Sequence, residues 1–155
     1  MDLLTFLPVL VATSFAIYLS LVDIREMRIP NRILFPGILI TSLIILSVAL
    51  LRMDLWRAIL AICGGVISTA TFFMIHLLKP KGLGMGDVKF AGLIGIALSW
   101  ISFPSGLIGL GIAFIASSIF SILVFVVKRD RFQRIIPFAP FMLLGLLFVE
   151  FGLLL

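Results

Sequence analysis

The sequence predicts an all-α membrane protein, a bundle of six transmembrane helices with both termini outside the cytoplasm. Hydrophobic residues make up 63% of the 155 residues and charged residues only 12%, whereas soluble domains are about 45–50% apolar. The apolar residues form long unbroken runs rather than the short alternating strands of a β-barrel. Because only short connectors separate these runs, we expect a single domain that comprises residues 1–155.

Six apolar segments approach the ~20 residues that a bilayer core requires. They are Leu3–Val22, Ile33–Leu51, Ala58–Leu78, Val88–Phe103, Leu107–Val127 and Ile135–Leu155. The first segment has no basic residue before it and no small-residue cleavage site after it, so we interpret it as a transmembrane helix rather than a cleaved signal. The fourth segment is shorter than the others, and we expect neighbouring helices to cover it.

The distribution of lysine and arginine predicts the orientation of the bundle. Most of the 12 basic residues fall in the first, third and fifth connectors. These are Arg25, Arg28 and Arg32, then Lys79, Lys81 and Lys89, then Lys128, Arg129, Arg131 and Arg134. Cytoplasmic loops carry such an excess, so these connectors are predicted to face the cytoplasm. The net charge of +5 then reflects topology and contact with lipid head groups rather than nucleic-acid binding.

Two aspartates at the predicted cytoplasmic ends of apolar segments are the candidate catalytic residues. Asp23 opens the first connector, and Asp87 closes the third one directly after the glycine-rich stretch Gly82–Gly86. Two carboxyl groups held together in a partly desolvated site tend to share one proton. The ionised group can take a proton from water while the protonated group donates to a scissile carbonyl. The pair therefore predicts an aspartic protease that needs no covalent intermediate.

Each aspartate also has a simpler explanation in the local sequence. Asp23 can form a solvated ion pair with Arg25 or Arg28, and Asp87 can cap the helix that follows it. An ion pair between Asp87 and Lys89 is not expected, because residues i and i+2 point to different sides of a helix. We expect Lys89 to reach lipid head groups or a substrate instead.

Two proline-containing segments lie beside the connectors that carry the acids. Ile29–Asn31 predicts a turn, and Pro30 is expected to set where the second span begins. Pro137 and Pro140 predict either a simple helix start with a kink or one wall of a cleft beside the acids.

The remaining reactive side chains indicate no other mechanism. His76 and Cys63 are the single histidine and the single cysteine of the chain, and there is no GxSxG motif, so neither a metal site nor a cofactor is predicted. We expect His76 to be an interfacial residue and Cys63 to be a small packing residue. Glu150, in the last segment, is expected only to reach the outer membrane interface.

Three segments together resemble the type IV prepilin peptidases, a family of GxGD aspartic membrane proteases. The sequence Gly-Met-Gly-Asp at Gly84–Asp87 is similar to the signature of that family. Asp23 followed by Ile29–Asn31 resembles the segment of its first catalytic aspartate, and Ile136–Phe141 resembles its third recurring segment. The resemblance implies that Asp23 and Asp87 are catalytic and that no metal is involved. The residues predicted to form the active-site loop or to bind substrate are Gly84, Gly86, Lys89, Pro30, Asn31, Pro137 and Pro140.

The resemblance also implies a substrate and a location. The substrate would be a pilin-like precursor with a short basic leader, cut at the cytoplasmic face of the inner membrane by a multi-pass protein. Longer members of the family carry a cytoplasmic insert with paired cysteines and also methylate the product; this chain lacks that insert, so we expect no N-methyltransferase activity. Whether the protein forms a homo-oligomer stays open.

Two other functions remain as alternatives. One is a small proton- or ion-coupled carrier with relay aspartates, although carriers tend to place such acids near the midplane and in repeated halves. Here both acids lie at one edge, and no internal repeat is evident. The other is a presenilin-like GxGD protease that cuts other transmembrane helices.

Overall fold

The computed structural model describes residues 3–78, 82–128 and 137–152. Throughout these ranges the regular structure is helical, with no β-strand. The helices are α1 (Leu3–Glu26), α2 (Asn31–Leu51), α3 (Leu55–Leu78), α4 (Met85–Ile101), α5 (Ser105–Lys128) and α6 (Ala139–Gly152). The predicted all-α fold is therefore confirmed for the described part of the chain.

Four of these helices, α1, α2, α3 and α5, are long and apolar enough to cross a membrane. The other two are shorter, with 17 residues in α4 and 14 in α6. The chain is thus a helical protein with four candidate membrane spans, while the count of six spans and the placement of the termini stay predictions.

Several sequence-based predictions fall outside the described residues. They concern the boundaries predicted at Ile135 and Leu155, the residue Ile136, and the basic residues Lys79, Lys81, Arg129, Arg131 and Arg134, together with the side chain of Lys128. The cytoplasmic placement of the odd connectors therefore stays a prediction.

The two candidate aspartates lie inside helices rather than in connectors. Helix α1 continues four residues past Val22, so Asp23 occupies its last turn. It ends where Met27 takes a left-handed conformation, with φ of 55°, and the Met27 N–H donates to the Asp23 carbonyl at 2.9 Å. A residue in this conformation after the last helical residue terminates a helix.

Helix α4 begins earlier than predicted, so the position of Asp87 differs as well. The N-cap is Gly84, in an extended conformation, and Asp87 is the third residue of the helix. The interpretation of Asp87 as the N-cap was therefore wrong. An acid at the third position can bind the free backbone N–H of the N-cap residue, which stabilises an earlier start.

The central element of the bundle is α4, which contacts every other helix. Its buried residues run from Val88 to Trp100, and a helix that is apolar all round is stable only when it is covered on all sides. The expectation that neighbouring helices cover the fourth segment is confirmed.

Small residues allow α3 and α4 to approach closely. A side chain added at Gly64 would collide with Ser99, and one added at Gly95 would collide with Ser68. Where apolar helices pack against each other, small residues of this kind let the backbones come together. This contact fixes α4, and with it the start of α4, against α3.

Glu150 does not reach an outer interface. It is 7% exposed, and its Oε2 accepts a hydrogen bond from Thr13 Oγ1 on α1 at 3.1 Å. A carboxyl group removed from water needs such a partner. The predicted placement of Glu150 was wrong, because Thr13 supplies this partner within the bundle.

Candidate active site

The end of α1 and the start of α6 meet at Asp23. This residue is 5% exposed, and its Oδ2 accepts a hydrogen bond from the backbone N–H of Ala139 at 3.2 Å. The backbone N–H of Phe138, the residue before Ala139, also favours the ionised form of this carboxyl group. The solvated ion pair considered for Asp23 is therefore not what the structure contains, because its carboxyl group is buried against α6.

The two prolines at the start of α6 explain why these two donors serve Asp23. Pro137 and Pro140 have no backbone N–H, so Phe138 and Ala139 supply the N–H groups of this four-residue segment. Phe138 precedes the helix, and its carbonyl accepts from the N–H groups of Phe141 and Met142 at 3.0 and 3.2 Å. The first free N–H groups of a helix carry partial positive charge, which stabilises an ionised carboxyl group.

Asp87 has a different environment at the start of α4. Its Oδ2 accepts a hydrogen bond from the backbone N–H of Gly84 at 3.0 Å. Burial raises the pKa of Asp87 to about 6, the Gly84 hydrogen bond opposes that rise, and repulsion by Asp23 adds to it. A carboxyl group with this pKa keeps part of its proton near neutral pH. The repulsion also indicates that the two acids are close enough to interact.

Gly86 brings the start of α4 against the connector between α1 and α2. A Cβ atom at Gly86 would lie 3.0 Å from the Cβ of Ile29, which is closer than side chains normally pack. Pro30, the next residue, is the N-cap of α2, as predicted from the sequence. The glycine therefore permits a contact between the two segments that carry the aspartates.

Lys89 makes a second link between the same two segments. Its Nζ donates to Asn31 Oδ1 at 3.1 Å and lies 5.2 Å from the centre of the Phe35 ring, a favourable distance for a cation over an aromatic face. Lys89, which we expected to reach head groups or a substrate, is held by α2 in this structure.

His76 fixes the glycine-rich loop from the other side. Its Nδ1 lies 2.7 Å from the carbonyl oxygen of Leu83, and because a carbonyl can only accept, this nitrogen carries the hydrogen. Leu83 is itself buried, 6% exposed. This contact could not be predicted, since no sequence pattern relates His76 to a loop residue seven positions later.

Ser20 is a further residue of the site that was not predicted from the sequence. Its Oγ donates to the Ala139 carbonyl at 3.1 Å, and it lies three residues before Asp23 on the same face of α1. This spacing is the sequence feature that could have indicated a role for Ser20 beside Asp23. Among the described residues, no group of three or more His, Cys, Asp or Glu side chains lies close enough together to hold a metal ion.

The nine residues predicted for the site thus lie at four helix ends, the end of α1 and the starts of α2, α4 and α6. The start of α6 contacts Asp23, the N-cap of α4 contacts Asp87, and the start of α2 contacts the first turns of α4. Two acids that each accept from a backbone N–H at a helix start and are close enough to interact form an arrangement that can hold one proton between two carboxyl groups.

A family model described as the type IV leader peptidase family matches residues 10–127. The matched range contains both Asp23 and Asp87 and ends before Pro137. Neither the curated proteins nor the solved structures include a match to this chain.

Proposed function

Because this chain belongs to the type IV leader peptidase family, we propose that it is an aspartic endopeptidase that removes the short basic leader of a type IV pilin-like precursor. The family and the apolar helices make it a multi-pass membrane protein and a leader-peptidase-like protease. The observation that best supports the finer proposal is that each carboxyl group accepts from a backbone N–H at a helix start and that the two groups are close enough for Asp23 to add to the effect of burial, which raises the pKa of Asp87.

The proposed reaction uses the two aspartates and one water molecule. The ionised carboxyl group takes a proton from the water, whose oxygen attacks the scissile carbonyl carbon. The protonated carboxyl group donates its proton to the carbonyl oxygen as the tetrahedral intermediate forms. As this intermediate collapses, the carboxyl group that took the proton from water gives it to the leaving nitrogen, and the C–N bond breaks. The other carboxyl group, now ionised, takes back a proton from a hydroxyl of the intermediate as the carbonyl of the new carboxyl terminus forms, so each cycle ends with one shared proton on the pair.

The proposed substrate fits a site at helix ends. A basic leader stays in the cytoplasm by the charge rule that orients membrane proteins, so the cut would occur at the cytoplasmic face of the inner membrane. Peptide groups deep in lipid stay hydrogen-bonded within a helix, and cleavage therefore requires an unwound segment near water. The exposed backbone at Gly82 can offer hydrogen bonds to such an extended segment.

The proposal is tested with purified protein in vesicles that also contain a pilin-like precursor. We expect the wild type to release the leader and both Asp23→Asn and Asp87→Asn to release none, because an amide neither ionises nor donates an acid proton. Asp54→Asn is the matched control, since Asp54 bonds the N–H of Arg57 at the start of α3, away from the two acids in sequence.

Three outcomes of this experiment contradict the proposal in different ways. If folded wild-type protein leaves the precursor intact, the result contradicts leader cleavage. If the same vesicles also dissipate an ion gradient, a carrier is favoured. Equal cleavage of unrelated transmembrane helices would favour a presenilin-like protease. Methylated product in the presence of S-adenosylmethionine would contradict the expected lack of methyltransferase activity.

A further inference from the structure

We propose that Ser20 is a positioning residue for Asp23: by holding Ala139 in place, Ser20 fixes the direction of the backbone N–H that binds the Asp23 carboxyl group. This inference rests on the proposed function, because the position of Asp23 affects the rate only if this residue takes part in cleavage.

The first observation is that α1 binds both backbone polar groups of Ala139. Asp23 Oδ2 accepts from its N–H at 3.2 Å, and Ser20 Oγ donates to its carbonyl at 3.1 Å. Ser20 is 2% exposed and Ala139 is fully buried. Hydrogen bonds shielded from water in this way are stronger and better fixed in direction than exposed ones.

The second observation is that Ser20 departs from the usual behaviour of a serine in a helix. Such a hydroxyl commonly bonds a carbonyl three or four residues earlier in its own helix. Ser14 on the same helix does so with Leu10, and Ser47 on α2 does so with Leu43, both at 2.8 Å. Ser20 instead donates to α6, so its hydroxyl contributes to the contact between the two helices.

Holding Ala139 on both sides fixes where its N–H points. At the start of α6 this N–H donates to Asp23, and such a bond favours the ionised form of the carboxyl group, which is the form that can take a proton from water. Asp87 accepts from a different backbone N–H, that of Gly84 at the start of α4. Loss of the Ser20 hydroxyl would therefore weaken the bond to Asp23 and leave the bond to Asp87 in place.

Any pH dependence that Asp23 sets also depends on the charged groups on the elements around it. On α4, Asp87 is close enough to interact with Asp23, while Lys89 of the same helix is bound to Asn31. From α6 the acid Glu150 is roughly 16 Å farther along the helix than Ala139. The arginines closest to Asp23 in sequence have exposed side chains; they are Arg25, Arg28 and Arg32.

The test compares cleavage of a pilin-like precursor by Ser20→Ala, Ser20→Thr and the control Ser14→Ala. Losing the hydroxyl frees Ala139 and weakens its N–H bond to Asp23. We expect Ser20→Ala to lower kcat about tenfold, the value of one hydrogen bond, with KM unchanged. The acidic limb of the rate profile should move to higher pH, because the ionised base is less stable. Ser20→Thr should restore both, and Ser14→Ala should change neither.

A second measurement needs no activity. Ser20→Ala, Asp23→Ala and the double variant are compared by thermal unfolding in detergent. Because both side chains act on Ala139, we expect the double variant to lose less stability than the two single losses combined. Additive losses would overturn the inference, as would an active Ser20→Ala enzyme with unchanged kcat and pH profile. If the wild type cleaves no precursor but the stability losses of the three variants are non-additive, the proposed function is refuted while the shared contact of Ser20 and Asp23 with Ala139 is supported.

Discussion

The side chain of Asp23 accepts a hydrogen bond from the backbone of Ala139, a residue 116 positions later in the chain. This bond ties the last turn of α1 to the first residue of α6. Thr13 and Glu150 join the same two helices at a second point, three turns away. The first and last helices are thus held in register by polar contacts, and one of the two partners at each contact is an acid.

The raised pKa of Asp87 predicts how stability depends on pH. When the pKa of a group is higher in the folded than in the unfolded protein, its protonation stabilises the folded state fully at pH values below the unfolded pKa. For Asp87 this stabilisation is lost as the pH rises through its folded pKa of about 6. Between pH 4 and 7 the wild type should therefore lose about 1–3 kcal/mol relative to Asp87→Asn. Thermal unfolding of both proteins across this range measures the difference. A constant difference would contradict the raised pKa.

The close contact at Gly86 predicts a loss of activity on substitution. Gly86→Val would push Ile29 and the first connector away from the start of α4, at a cost of about 1–3 kcal/mol. We expect leader cleavage to fall at least about tenfold, the rate effect of 1.4 kcal/mol. Gly111→Val is the control, because no atom lies within 4 Å of a Cβ atom at Gly111. Equal activity of the two variants would show that this contact is not needed.

The packing of α5 against α6 predicts a strong effect on stability at Gly145. A Cβ atom there would collide with the backbone carbonyl of Gly109, and backbone cannot move aside as a side chain can. Gly145→Ala should destabilise the protein by about 1–3 kcal/mol in thermal unfolding. Gly152→Ala in the same helix meets nothing within 4 Å and should be neutral or slightly stabilising. Similar unfolding temperatures for the two variants would contradict this packing.

The contact between Thr13 and Glu150 predicts an asymmetry between two substitutions. Thr13→Val removes the donor and leaves a buried carboxyl group without a partner, which costs about 1–3 kcal/mol. Glu150→Gln keeps an oxygen that can accept from Thr13 and should cost less. Unfolding temperatures of the two variants in detergent measure the order. The reverse order would mean that the hydrogen bond does little for the bundle.

The bond between Lys89 and Asn31 predicts how their variants combine. If Lys89 acts by holding the start of α2, Lys89→Met and Asn31→Ala should each lower cleavage by about three- to tenfold, an energy typical of one hydrogen bond. The double variant should then be no worse than the poorer single variant. Multiplied effects would indicate that Lys89 contacts the substrate instead, as the sequence analysis allowed.

The all-helical fold and the boundaries of most helices could be predicted because each helix coincides with a long apolar run in the sequence. The end of α1 could not, since the apolar run stops at Val22 while the helix continues through Asp23, whose carboxyl group a distant segment binds. The start of α4 was missed for a related reason: the apolar run begins at Val88, yet Asp87 stabilises a turn that begins at Gly84. In both cases a polar side chain was satisfied by backbone groups that local sequence did not identify.

The partners of the site were harder to predict than its acids. Asp23 and Asp87 are conspicuous because the chain has only 7 acidic residues, and these two stand at the ends of apolar segments, where an acid is costly unless it has a partner. Ser20, His76 and the contact of Lys89 with Asn31 depend on how the helices pack. Glu150 was misplaced because the sequence could not reveal that Thr13 would face it.

The two prolines around Phe138 and Ala139 have a practical consequence for mutagenesis. What touches Asp23 here is main chain, so replacing side chains one by one leaves every N–H in place, and an alanine scan does nothing at Ala139 itself. Exchanging the amide that links Phe138 to Ala139 for an ester, which lacks the hydrogen, would delete the donor and alter no side chain. In this segment the anion is recognised by the polypeptide backbone, and the prolines select which of its amides remain available.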